Sequence, residues 1–188
     1  MDDEVLGCGG TISKHIDEGN EVAVIYICGR AYFNVITKKM LKREEDCARK
    51  VCNLLGINYF KFLHLHDEQL DHRIIDVVKP IEEEIIKFKP DIIYTHHRAD
   101  NNQDHKAVFN ATMIATRSSA DWQPQKVYCY EVLSSTEQSP QFNEYSYLPT
   151  TYVDIEKYLD KKIEAFECYK YEMHPYPHPR SPEAIKAL

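Results

Sequence analysis

The chain has 188 residues, of which 43% are hydrophobic and 28% are charged. This length favours one domain, and this composition excludes a disordered or collagen-like chain. A net charge of −7 without a basic stripe argues against nucleic acid and anionic membrane surfaces as partners, and no apolar run approaches the ~20 residues of a membrane span.

Helix and strand patterns alternate along the chain. Residues 3–18 carry apolar side chains at helical spacing behind an acidic first turn, and residues 21–28 form a dense β-branched run typical of a buried strand. Further helices are predicted over about 39–55, from 74 with a second part starting at Pro80, over about 104–117 and over about 154–170. Further strands are predicted over 57–63, 91–95, 126–132 and 151–155.

This alternation predicts an α/β fold: a Rossmann-like, mainly parallel sheet with helices on both faces, in a single domain over residues 1–188. Such sheets bind ligands at the carboxyl ends of their strands. The six cysteines form no C-x-x-C pair, which excludes a zinc ribbon and a thioredoxin motif and fits a reducing, cytoplasmic setting. The oligomeric state stays open, with a homo-oligomer among the alternatives.

Two polar clusters carry the candidate chemistry. The first is Asp2-Asp3-Glu4, followed by the glycines of Leu6-Gly7-Cys8-Gly9-Gly10. The second, Thr95-His96-His97 with Asp100-Asn101-Asn102-Gln103-Asp104-His105, directly follows a predicted strand. Carboxylate and imidazole together suit a catalytic zinc ion, and adjacent aspartates at a helix start allow one to bind the metal while the other faces its water.

Both clusters resemble motifs of the LmbE-like deacetylases, the family of the N-acetylglucosaminyl-phosphatidylinositol de-N-acetylases. The first is similar to the family's His-Pro-Asp-Asp-Glu and x-Leu-Gly-x-Gly-Gly segments, and the second to its Thr-His-His and Asp-x-Asn-x-Asp-His segments. Weaker similarities around residues 62–70, 134–137 and 178–181 extend the resemblance over essentially the whole chain. It implies the LmbE-like fold and a zinc-dependent hydrolase that removes an acetyl group from an N-acetylated amino sugar or glycoconjugate.

The resemblance also implies roles for single residues. Asp3 and His105 would be ligands of Zn2+, and Asp2 would be the general base that activates the metal-bound water. Asp104 would support catalysis by orienting a neighbouring imidazole or the substrate. Asn102 falls where some relatives place a histidine that stabilises the oxyanion; its amide can donate a hydrogen bond but cannot act as a general acid.

Further candidates for substrate binding are Arg30, His97, His178 and Arg180. Arg30 follows a predicted strand and could hold a sugar or phosphate, with a plain surface arginine as the alternative. Either His96 or His97 could line the site, or serve as a strand end bonded to backbone. His178 and Arg180 lie in a Pro-rich tail that either closes over the pocket or forms a simple turn.

The chain departs from the family pattern at its beginning. Met1 stands where the family has proline, and the family's first zinc-binding histidine and first strand have no counterpart. We therefore expect a fragment trimmed at both ends that keeps two of three zinc ligands, binds zinc weakly and is a poor catalyst.

Two other functions stay open. One is a non-catalytic domain of the same fold that binds a sugar or a protein. The other is a nucleotide- or S-adenosylmethionine-binding loop formed by the glycines of residues 7–10, although glycines near a helix also serve close packing.

Overall fold

The structure, a computed structural model, describes residues 1–29, 37–140 and 142–188. Helices and strands alternate along these residues. The α-helices are α1 (Asp3–Asp17), α2 (Lys38–Leu55), α3 (Ile74–Phe88), α4 (Gln103–Ala115), α5 (Leu159–Glu167) and α6 (Pro182–Ala187). The strands are β1 (Ala23–Gly29), β2 (Tyr59–His66), β3 (Ile92–His96) and β4 (Lys126–Tyr130). Thr136–Gln138 and Glu156–Tyr158 form short 3-10 helices.

The strands form two parallel pairs. β1 runs parallel to β2, with a register irregularity between Tyr26 and Cys28, and β3 runs parallel to β4, with His96 opposite Tyr130. Among the described residues no strand joins the two pairs. Parallel neighbours require crossover connections, which α2 provides for the first pair and α4 for the second.

Apolar residues form two cores, one on each face of the strands. The first core packs α1, α2 and α5 against β1, and the second packs α3 against α4. β2 shows the alternation directly, because Phe60 and Phe62 pack on the first core whereas Leu63 and Leu65 pack on the second. The α/β architecture, with parallel strands between helices, is therefore confirmed.

Several predicted elements differ in the structure. Residues 151–155 form no strand, because no neighbouring strand pairs with them and residues 151–154 are exposed. The helix predicted over 154–170 is shorter, since a 3-10 turn precedes α5 and the helix ends at Glu167. Pro80 lies inside a continuous α3 instead of starting a second part.

The glycines after the first acidic cluster lie inside α1. A Cβ atom at Gly7 would lie 2.2 Å from Cδ2 of Tyr130, and one at Gly10 would lie 2.5 Å from Cδ1 of Ile155. These glycines therefore allow β4 and the segment before α5 to approach α1. The alternative prediction of a nucleotide- or S-adenosylmethionine-binding loop is wrong, because the glycines of such a loop precede the helix and do not lie within it. In the part of the chain described here, no helix combines the length and apolar character needed to cross a membrane.

Candidate metal centre

A cavity of about 620 Å³ opens where the strands end. Its wall contains the first turn of α1, Cys28 from the end of β1, His96 from the end of β3 and Tyr130 from the end of β4. This is the edge at which parallel α/β sheets bind ligands. A second cavity, of about 640 Å³, lies against α3 and α4, and its lining residues include no histidine and only Asp71 as an acid. The candidate chemistry therefore concentrates in the first cavity.

Three side chains converge on one point of this cavity: Asp3, His96 and His105. His96 Nε2 lies 3.6 Å and His105 Nε2 lies 3.5 Å from the same oxygen, Asp3 Oδ2. The two imidazole rings stack with their centroids 4.1 Å apart. Asp3 and His105, predicted as metal ligands, are therefore brought together. His96 adds a third donor, where the sequence motifs alone indicate two.

The donor set fits a zinc ion. Donor atoms 2.0–2.2 Å from a tetrahedral zinc lie about 3.3–3.6 Å apart, which matches both separations from Asp3 Oδ2. Two imidazole nitrogens with one carboxylate oxygen are a common set in catalytic zinc sites, where the fourth position takes water or substrate. His96 Nδ1 is buried and finds no hydrogen-bond partner among the described residues, so its ring is held by packing and by its other nitrogen.

Three elements position these donors. Asp3 is the first residue of α1, His96 is the last residue of β3, and His105 lies in the first turn of α4. The side chain of Asn102 caps α4, because its Oδ1 accepts a hydrogen bond of 2.8 Å from the Asp104 amide. Asn102 lines the cavity while it caps the helix.

Asp100 holds His105 from behind. Its carboxylate is fully buried, and Oδ1 lies 3.1 Å from His105 Nδ1. The hydroxyl groups of Ser135 and Thr136 donate to the same carboxylate. A carboxylate behind a histidine ligand fixes its ring orientation, so Asp100 occupies the place of a carboxylate–histidine–metal arrangement.

Charges in the cluster shift its pKa values in opposite directions. Burial disfavours the ionised forms, but His105 and His96 outweigh it and hold the pKa of Asp3 well below its usual range. Asp3 and Asp100 likewise outweigh burial and raise the pKa of His105 to about 10. Burial lowers the pKa of His96. These shifts favour the ionised form of Asp3, the protonated form of His105 and the neutral form of His96.

Asp2, the predicted general base, lies beside the cluster and lines the cavity. Its Oδ2 accepts a hydrogen bond of 2.8 Å from Nη1 of Arg180. Burial and the adjacent charge of Asp3 raise the pKa of Asp2 to about 8, and Arg180 acts in the opposite direction. Arg180, predicted to bind substrate, thus donates one hydrogen bond to a protein carboxylate.

Asp104 makes contacts of a different kind. Its oxygens accept hydrogen bonds from the amides of Glu68, at 2.6 Å, and Leu70, at 3.2 Å. It also lies close to Asp67 and Cys28. Burial raises the pKa of Asp104 to about 6. Asp104 lines the cavity and holds the turn after β2, whereas the imidazole contact expected of it is made by Asp100.

Two of the remaining substrate-binding candidates, His97 and His178, make their described contacts away from the cluster. His97 Nε2 contacts the carbonyl oxygen of Tyr145, and its ring packs on Tyr147. His178 accepts a hydrogen bond of 3.0 Å from the Arg180 amide, as a simple turn requires. Arg30 lies outside the described residues.

Two residues of the centre were missed from the sequence. The sequence motif that contains Asp100 indicates no role for it, and the sequence indicates only a strand around Tyr130, whose hydroxyl lies 3.3 Å from His96 Nε2. The position of Asp100 five residues before His105 was a weak signal. Tyr130 had none, because its contact depends on the pairing of β3 with β4.

Comparison with known proteins identifies a matching family and similar proteins. The family model described as PIG-L, GlcNAc-PI de-N-acetylase, matches residues 1–116. A curated protein of Escherichia coli (strain K12), the uncharacterized deacetylase YaiS, is 27% identical over 175 residues, which is 90% of this chain and 85% of YaiS.

Solved structures share the fold at low identity. The N,N'-diacetylchitobiose deacetylase of Pyrococcus horikoshii superposes with a TM-score of 0.70 at 19% identity, over 93% of this chain and 68% of that chain. GalB, the 4-carboxy-2-hydroxymuconate hydratase of Pseudomonas putida KT2440, superposes with a TM-score of 0.67 at 18% identity, over 98% of this chain and 79% of that chain. The second protein is a hydratase, so the fold alone does not decide the reaction.

Proposed function

This chain belongs to the PIG-L family of GlcNAc-PI de-N-acetylases, and we propose that it is a zinc-dependent hydrolase that removes the acetyl group from an N-acetylated amino sugar or its conjugate. One observation carries the proposal: Asp3, His96 and His105 direct three metal-binding atoms at one point of a cavity that Asp2 also lines. Metal donors beside a carboxylate that is not itself a donor are what metal-assisted amide hydrolysis requires.

Asp3, His96 and His105 would hold the zinc ion, which would supply Lewis acidity towards an amide carbonyl and lower the pKa of a water molecule. In its ionised form Asp2 takes a proton from the attacking water as general base, and it returns the proton to the amine nitrogen as the C–N bond breaks, so that acetate and the free amine leave. The Tyr130 hydroxyl, beside His96, donates a hydrogen bond to the oxygen that becomes negative in the transition state. Asp100 keeps the His105 ring in a fixed orientation throughout.

The proposed substrate class rests on the relatives. YaiS is named a deacetylase, and the Pyrococcus horikoshii protein acts on N,N'-diacetylchitobiose. A cavity of about 620 Å³ is large enough for one or two sugar rings, since small-molecule sites range over ~300–1,000 Å³. Carboxylates and amide side chains in its wall suit the hydroxyl groups of a sugar.

Zinc binding at the proposed site is tested by substitution of two neighbouring histidines. Zinc content and affinity are measured by chelator competition on the wild type, His96→Asn and His97→Asn. We expect one zinc per chain in the wild type, a loss of at least about tenfold in affinity for His96→Asn, and no change for His97→Asn, which contacts Tyr145 instead. Equal effects of the two substitutions would remove His96 from the site.

The reaction is tested by acetate release from a panel of N-acetylated sugars and glycoconjugates, with a chelator-treated control. Asp2→Asn is expected to lower kcat by about 100-fold or more while zinc stays bound, because the amide cannot accept the proton. If the protein binds zinc and sugars but releases acetate from none of them, the result would favour the alternative of a non-catalytic sugar-binding domain.

A further inference from the structure

We propose that Arg180 positions the Asp2 carboxylate for proton transfer, so that the C-terminal segment completes the active centre. This role rests on the proposed function of Asp2 as general base. The family match ends at residue 116, and Arg180 lies well beyond it.

Asp2 departs from the usual behaviour of an acid at a helix start. It occupies the N-cap position of α1, but its side chain makes no capping hydrogen bond, and its φ of 104° lies in the left-handed region. Such a backbone conformation costs about 1–3 kcal/mol for a residue other than glycine and persists only where the surroundings impose it. The carboxylate is therefore aimed at something other than the amides of its own helix.

Its partner is Arg180. Among the described residues, Arg180 is the side chain that donates to the Asp2 carboxylate, through Nη1 to Oδ2 at 2.8 Å. Asp2 is 4% exposed, and the side chain of Arg180 is 15% exposed. A hydrogen-bonded pair so withdrawn from water has a fixed geometry, unlike exposed pairs that exchange with solvent.

Arg180 is itself held from two sides. Nη1 also donates to Glu172 Oε2 at 2.9 Å, and Nε donates to Ser134 Oγ at 2.7 Å. The two carboxylates and the hydroxyl therefore fix the plane of the guanidinium group. With Nε and Nη1 engaged in this way, the contacts of Arg180 fit a positioning residue better than the substrate-binding residue predicted from the sequence.

The rest of the C-terminal segment anchors this contact. The Tyr169 hydroxyl donates to Glu4 Oε1 in the first turn of α1. Ser181 is fully buried and caps α6, since its hydroxyl accepts from the Ala184 amide at 3.1 Å. Tyr169 and Arg180 thus contact the first turn of α1 from the two ends of this segment, which brings Arg180 to a defined place.

The experiment is a double-mutant cycle on the zinc-loaded enzyme, with Asp2→Asn, Arg180→Met and the double variant. Arg180→Met is expected to lower kcat by about 100-fold, as a misplaced reacting group does, with KM and zinc affinity within about threefold of the wild type. In the Asp2→Asn background the same change should alter kcat by less than about threefold, because its target is already disabled.

Two further variants complete the design. Arg180→Lys should recover part of the lost kcat, since it keeps the charge but not the planar group, and it carries the comparison if Arg180→Met does not fold. Arg117→Met, which removes an exposed arginine paired with Glu82, should leave kcat unchanged.

Independent, multiplying losses in the cycle, or a rise in KM with unchanged kcat, would overturn the positioning role while leaving the deacetylase intact. Absence of metal-dependent acetate release from the wild type would overturn the proposed function and this inference with it.

Discussion

Replacement of Asp100 by asparagine is expected to weaken both the fold and metal binding. The carboxylate is fully buried and accepts three hydrogen bonds, from the Asn102 amide at 2.9 Å, from Ser135 and from Thr136 at 2.6 Å, and its Oδ1 also lies 3.1 Å from His105 Nδ1. An asparagine retains one acceptor oxygen and places a donor at the other position. At least one charge-assisted hydrogen bond is lost, which costs about 1.5–3 kcal/mol.

That cost corresponds to a fall in Tm of about 3–12 °C for a chain of this size, at ~2–4 °C per kcal/mol. The His105 ring also loses the carboxylate that fixes its orientation, and such losses lower metal affinity by about 10–100-fold. Thermal unfolding of the metal-free protein measures the first effect, and chelator competition measures the second. Asp71→Asn, at an exposed acid, is the matched control. A folded Asp100→Asn protein with wild-type zinc affinity would refute the reasoning.

Two further predictions concern the packing of α1. Gly7→Ala should lower the free energy of unfolding by about 1–3 kcal/mol, because the new Cβ collides with the Tyr130 ring; an increase in Tm would contradict this, since the gain in helix propensity is only about 1 kcal/mol. Lys162→Met should raise Tm at pH 7. Burial lowers the pKa of Lys162, so its charged form destabilises the folded state below that pKa, and the penalty disappears as pH rises towards 10.5. The gain should therefore shrink at high pH, whereas Lys157→Met, at an exposed lysine, should show neither effect; a gain independent of pH would disprove the charge explanation.

The fold could be predicted because its strands and helices are marked locally. The β-branched run of β1 and the left-handed Gly56 at the end of α2 are signals that lie within the element itself. Residues 151–155 failed for the opposite reason: a strand also needs a partner, and partners are set by the tertiary fold.

In the candidate site, too, local motifs could be predicted from the sequence, whereas contacts set by the tertiary fold could not. That Asp3 and His105 lie together could be predicted because a motif names them, but which of His96 and His97 lies beside them could not. Successive residues of a strand point to opposite sides, and only the position of β3 shows which side faces Asp3. The contacts of Asp100 with Ser135 and of Asp2 with Arg180 join residues 35 and 178 positions apart, which no local pattern reveals.

The proposed metal would join the two apolar cores mechanically. Asp3 belongs to the helix that packs in one core, whereas His105 belongs to a helix of the other. An ion bound by both helices would link the two cores, and its binding free energy would stabilise their packing against each other. Zinc should then slow amide hydrogen exchange on both sides of the molecule at once, and its removal should allow α3 and α4 to exchange independently of α1, α2 and α5.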